Sequence, residues 1–257
     1  MDCKKALTEA NGDMQAAIDY LRKKGAKVSE LRAGKVANEG VALAKTSADG
    51  KTGVAINLSS ETDFVAKNQE FVAFAQQVAD LALKEKPGSL DELLKLAING
   101  NTVKDKLNDL VGKINENIRL SKYEKLFGDA VVAYNHSNRV AVLVQLNKPL
   151  NAAVETIGKD IAMQVAAMNP AAVDKDSVDQ ATLAREMEIG REQARAEGKP
   201  ENMLDKIAQG KLQKFFKEST LVSQPFVKDN NKTVEQVLKE VDKDLKVVAF
   251  RRVALGS

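Results

Sequence analysis

The sequence predicts an α+β fold: two related subdomains, each a small antiparallel sheet with helices, and a helical hairpin inserted into the second. Three observations carry this. A pair of strand-like runs followed by an amphipathic helix occurs twice. Residues 177–219 step their apolar positions by four, three and four on both sides of a turn, the mark of two packed helices. The 257 residues are 44% hydrophobic but only 4% aromatic, without Trp, so one large or two to three small cores must be built from Leu, Val, Ile and Ala.

Taken in order, residues 1–38 predict a helical module and linker. Ala6, Leu7 and Ala10 share one helical face, and Asn11-Gly12 is a stop signal. Asp13 can cap a second helix, on which Met14, Ala17, Ile18 and Leu21 follow i, i+3, i+4, i+7 spacing and which Gly25 ends. Residues 26–40 are basic, rich in small residues and weakly periodic, which suits a partly helical linker.

The first subdomain spans 39–133. Val41–Lys45 and Val54–Leu58 read as strands around Ser47-Ala-Asp-Gly50, with the Asp-Gly of a tight turn. Phe71, Phe74, Ala75, Val78 and Ala82 form an apolar helical stripe that Pro87-Gly88 stops. Ser89 with Glu92 predicts a capping box on a short helix to Ala97. After Asn99-Gly-Asn101, a helix carries Val103, Leu107, Leu110, Val111 and Ile114, and a strand follows over Ile118–Leu126.

The second subdomain comprises 134–176 and 220–257. Val131–Tyr134 and Val140–Val144 flank Asn135-His-Ser-Asn138 as a second hairpin. Phe74-Ala-Gln-Gln-Val-Ala79 matches Ile161-Ala-Met-Gln-Val-Ala166, about 87 residues on, which points to an internal duplication. The hairpin insertion, 177–219, has Leu183, Met187, Gly190 and Ala194 before Gly198-Lys-Pro200, and Leu204, Ala208, Lys211 and Phe215 after it. Thr233 with Gln236 caps a short helix, and a strand over Leu245–Leu255 completes the sheet.

Composition excludes several function classes. With 39 basic and 36 acidic residues, net charge +3 and no basic stripe, nucleic acid is not an expected direct partner. A single cysteine, Cys3, favours a reducing compartment and is expected as a small core residue. No apolar run approaches the ~20 residues of a membrane span, and Met-Asp-Cys-Lys-Lys is no signal peptide; no membrane partner and a cytoplasmic location are expected. The one histidine, His136, lies in a predicted turn. No metal-ligand spacing, phosphate-binding glycine loop or nucleophile elbow occurs, and Glu186 and Glu188 fall on the helical arm as solvated charge. A non-enzymatic protein without cofactor or metal is expected.

One connection is unusual. Glu61-Thr-Asp-Phe-Val-Ala-Lys-Asn68 places an aromatic beside a carboxylate between a strand and a helix, where function tends to concentrate. On patterning alone Phe64 either projects from this connection or folds back onto the core while Thr62 or Asp63 caps a helix.

Thr62-Asp-Phe-Val-Ala-Lys-Asn68 resembles the signature of the elongation factor Ts family. Similar to that family too, and in its order, are Met1–Asp13, Leu21-Arg-Lys-Lys-Gly25, Ile161-Ala-Met163 with Val165-Ala-Ala167, and Gln224-Pro-Phe-Val227. The resemblance implies a ubiquitin-associated (UBA)-like N-terminal module, two core subdomains and a coiled-coil hairpin. It implies guanine-nucleotide exchange on elongation factor Tu, in its GDP-bound and nucleotide-free states. Thr62, Asp63, Phe64 and Val65 would then dislodge the partner's Mg²⁺, with Phe64 wedged between partner helices. Leu21, Arg22, Gly25, Lys67, Asn68, Ile161, Met163 and Gln164 would contact the partner, and the helical hairpin could serve a homo-oligomer. The family pattern also has a helix before Met1 and, in some members, a C-terminal extension, both missing here. Histidines common near Ile161–Met163 are replaced by Asp160 and Gln164, so no His-mediated contact carries over.

Overall fold

A computed structural model of the chain describes residues 2–256. Two helices, α1 (Asp2–Glu9) and α2 (Met14–Arg32), lead into a hairpin of β1 (Glu39–Thr46) and β2 (Thr52–Ser60). Then come α3 (Asp63–Ala66), α4 (Gln69–Glu85), α5 (Leu90–Lys95), β3 (Ala97–Ile98), β4 (Asn101–Thr102), α6 (Val103–Ile114) and β5 (Arg119–Phe127). A second hairpin of β6 (Ala130–His136) and β7 (Val140–Leu146) precedes α7 (Ala152–Met168), α8 (Gln180–Ala196) and α9 (Leu204–Ser219). The chain closes with β8 (Pro225–Phe226), β9 (Asp229–Thr233), α10 (Val234–Val241) and β10 (Val247–Ala254). This is the mixed helix and small-antiparallel-sheet class that the sequence predicts.

The described residues fall into two compact units, residues 2–126 with Ala133–Leu143 and residues 251–256, and Phe127–Val132 with Val144–Phe250. The three-stranded sheets run in the orders β1-β2-β5 and β10-β7-β6, so in each the second strand of the hairpin is central. β1 and β2 pair antiparallel from Glu39↔Ser60 to Thr46↔Gly53. Each hairpin is followed by a 17-residue helix, α4 or α7, capped by an asparagine (Asn68 or Asn151) that accepts from two backbone N–H groups. Both end on a left-handed residue, Lys86 or Asn169.

These caps correct the predicted repeat spacing. Asn151 follows Asn68, and Asn169 follows Lys86, by 83 residues rather than about 87. At that offset every buried position on α4 meets one on α7: Phe71 and Val154, Phe74 and Ile157, Val78 and Ile161, Ala82 and Val165. A slip of four residues is about one helical turn and keeps the same face inward, so a short apolar match cannot fix the register. The correspondence also runs further than the sequence suggests. The β3–β4 hairpin leads to Thr102 and a capping box on α6, and an unforeseen β8–β9 hairpin leads to Thr233 and a capping box on α10. In each case the next residue is a fully buried valine, Val103 or Val234.

The N-terminal region departs from expectation. Gly25 does not end α2; the helix continues through it to Arg32, into the segment expected as linker. A Cβ on Gly25 would lie 2.8 Å from the Asn108 carbonyl oxygen, and one on Gly112 would lie 3.0 Å from the Gly25 Cα. The two glycines therefore let α2 and α6 cross at backbone contact. Cys3 is exposed rather than in the core, because the buried face of α1 closes at Ala6, one turn later. Ser89 does cap α5, but the Glu92 carboxylate accepts from Gly88 N–H at 2.5 Å rather than returning to Ser89.

In the second unit α8 and α9 lie side by side, with Gly190 on Ala208, and Ala194 and Leu204 buried between them. Arg191–Asp205 and Arg195–Glu201 ion pairs at 2.7 and 2.9 Å line the seam. The segments before and after this pair are joined by hydrogen bonds from Ala171 N–H to Ser219 O, Leu221 N–H to Ala172 O and Val222 N–H to Val173 O, at 2.8–3.0 Å. The chain thus leaves and returns at one place, where the first unit has only α5.

Candidate functional site

The connection from β2 to α4 forms a short stub that carries an outward aromatic. Thr62, in extended backbone, caps the single turn α3 by accepting from Val65 N–H at 3.4 Å. The turn sends its two large apolar side chains opposite ways. Val65 is 9% exposed and joins the cluster of Phe71, Val78, Ile56 and Leu58, whereas Phe64 is 82% exposed. The capping reading of Thr62 and the projecting reading of Phe64 hold together.

The base of the turn is pinned from below. The Glu116 carboxylate accepts from the N–H groups of Glu61 and Thr62, both at 3.1 Å, and from Thr62 Oγ1 at 2.7 Å. In return the Glu61 carboxylate accepts from Asn117 N–H at 2.6 Å and pairs with Arg32 at 3.3 Å. The buried Asn117 side chain donates to Lys35 O at 2.6 Å. Asp63 meets Lys67 one turn on, at 2.6 Å, and chiefly this hydrogen bond holds the Asp63 carboxyl below the usual carboxylate range. A groove beside the turn is walled by Asp63, Lys67, Val72, Asn138 and the Glu39–Arg139 ion pair, at 2.8 Å.

The remaining sequence-predicted site residues are dispersed. Thr62, Asp63, Phe64, Val65, Lys67 and Asn68 share this turn, with Asn68 capping α4. Arg22 is exposed and bonds the Asn101 side chain, Leu21 is half-buried, and Gly25 is enclosed at the α2–α6 crossing. On α7, Ile161 and Gln164 are fully buried and Met163 is half-buried. The Gln164 amide is spent inside its own unit, donating to Gln224 and to Pro225 O, both at 3.1 Å, and accepting from Val227 N–H at 2.8 Å. As placed, Gly25, Ile161 and Gln164 shape surfaces rather than present side chains. Sequence reasoning missed Glu116, Asn117 and Arg32. Only Asn115, a left-handed stop for α6, signals locally that the chain turns here.

Among the described residues no cluster of three His, Cys, Asp or Glu side chains could hold a metal, and no helix is long and apolar enough to cross a membrane.

The family model for elongation factor TS matches residues 61–257. The chain belongs to the elongation factor Ts family. All of it aligns with elongation factor Ts of Amoebophilus asiaticus at 52% identity and with that of Christiangramia forsetii at 49%, covering 93% of each. Elongation factor Ts of Alkalilimnicola ehrlichii is 43% identical over the whole chain and 86% of its own length. Membership makes this an exchange factor of translation elongation rather than a catalyst of a chemical reaction. The elongation factor Ts match begins at Glu61, the residue that ties the turn to Arg32 and Asn117.

Proposed function

We propose that the chain speeds GDP release from elongation factor Tu by docking the Thr62–Val65 turn beside the nucleotide. Phe64 wedges into an apolar gap between partner helices, Asp63 bonds groups next to it, and the bound Mg²⁺ is displaced. The observation that carries this reading is a large aromatic left 82% exposed on a turn whose neighbouring Val65 is buried. Mg²⁺ and phosphate contacts hold the nucleotide of a GTPase. A surface that binds the nucleotide-free partner more tightly weakens GDP by the same factor. Each tenfold needs about 1.4 kcal/mol of differential binding. Burying one Phe supplies about 1.5–3 kcal/mol, or one to two decades, and further contacts supply the rest.

In this reading residues 1–38 are a UBA-like module that meets the GTPase domain through Leu21 and Arg22, with Gly25 setting the helix position. Residues 39–133 form one core subdomain, and 134–176 with 220–257 the other. Met163 reaches a second partner domain over a surface that Ile161 and Gln164 support, while Lys67 and Asn68 flank the turn. Residues 177–219 are a coiled-coil insertion available to a partner or a second copy, and the site of action is the cytoplasm. Stopped-flow release of a fluorescent GDP analogue from elongation factor Tu tests the claim. The chain should accelerate release at substoichiometric amounts, and Phe64→Ala should slow release about tenfold or more with an unchanged melting temperature. Equal release by both proteins would remove the wedge from the mechanism.

A further inference from the structure

A single helical turn is too short to hold its own shape in water, so the direction of Phe64 is set by whatever anchors α3. Three of its anchoring bonds end on one side chain. Glu116 accepts from Glu61 N–H, Thr62 N–H and Thr62 Oγ1, using both carboxylate oxygens. Its own position is fixed by the fold. Asn115, at φ 62°, stops α6 and turns the chain under the loop. α6 is held by buried Leu107, Leu110 and Val111 and by its backbone crossing with α2. The neighbouring Asn117 N–H donates back to Glu61, so the two segments exchange carboxylate bonds in both directions.

We propose that Glu116 is a positioning residue for nucleotide exchange: it touches neither nucleotide nor partner, and fixes the pose from which Phe64 acts. The proposal rests on the wedge reading of Phe64. Without this carboxylate two backbone donors and a hydroxyl lose their common acceptor, and the stub swings. A misplacement of about 1 Å costs up to about a hundredfold in well-oriented systems.

The test measures GDP release from elongation factor Tu for the full chain and for Glu116→Ala, Glu116→Gln, Phe64→Ala and the Glu116→Ala/Phe64→Ala double variant, with melting curves for each. Glu116→Ala should lower the maximal release rate about tenfold, while the half-saturating concentration moves less than about threefold. Glu116→Gln should recover most of the rate, since its amide oxygen can take both N–H groups and its NH₂ can donate to Thr62 Oγ1. In the Phe64→Ala background Glu116→Ala should have no further effect, because it acts only through that ring. A purely structural role would instead give additive losses in the double variant. Additive losses, a normal rate for Glu116→Ala, or a rate loss that follows melting and is not restored by glutamine would each overturn the proposal. If Phe64→Ala slows release and Glu116→Ala does not, Glu116 alone is discarded. If Phe64→Ala has no effect, the wedge reading falls and this proposal with it.

Discussion

Replacing Gly25 by alanine separates two accounts of this residue by sign. Judged by helix propensity, Ala in a helix interior gains about 1 kcal/mol over Gly. The structure places Gly25 inside α2, outside the left-handed backbone region, so that gain applies. It also places the new Cβ 2.8 Å from the Asn108 carbonyl oxygen and 3.4 Å from its carbon, both backbone atoms of α6 that no rotamer change can move. Forcing a methyl into so tight a contact costs about 1–3 kcal/mol. The net expectation is a loss of about 1 kcal/mol, reaching about 2, which for a unit of this size lowers the melting temperature by about 2–4 °C per kcal/mol. Circular dichroism melting of wild type and Gly25→Ala at equal concentration reads this directly. A variant that melts higher than wild type would show that α2 and α6 do not cross at backbone contact.

Gly210 provides the opposite case. It lies in α9, exposed, and an added Cβ would meet nothing within 4 Å, so Gly210→Ala should raise stability by up to about 1 kcal/mol; denaturant melts showing a loss would contradict it. The Asp63–Lys67 contact makes a pH prediction. Because the folded carboxyl ionises below its unfolded value, the contact contributes above that unfolded value and is lost as pH falls through the folded one. Carbon NMR should find the Asp63 titration below the ordinary carboxylate range and see it move up in Lys67→Met; an ordinary wild-type value would refute the pairing.

The sequence made legible what is local and periodic. The β1–β2 turn, the stripe on α4, the Asp13 cap and the Thr233–Gln236 box all depend on residues within a few positions of one another. Gly25 misled because a glycine that ends a helix and one that admits a second helix look alike until the neighbour is known. Cys3 misled because a helical pattern does not say where its covered face stops. In the candidate site, Phe64 was visible as an oddity and Thr62 as a cap. The Glu116 clamp was not, since its bonds span 54 and 55 residues and follow no spacing rule. Nor does the motif match at Ile161–Met163, or its neighbour Gln164, reveal that Ile161 and Gln164 face inward, because a motif records which residues recur and not which way they point.

The two hairpins differ where β2 and β7 hand over to their helices. The first connection takes residues 61–68 and the second only 147–151. Lengthening a loop from five residues to eight raises its closure entropy by about 0.4 kcal/mol, less than a typical helix cap is worth. A connection of this kind can therefore be lengthened beside one hairpin almost without thermodynamic consequence, while the connection after the other hairpin stays short.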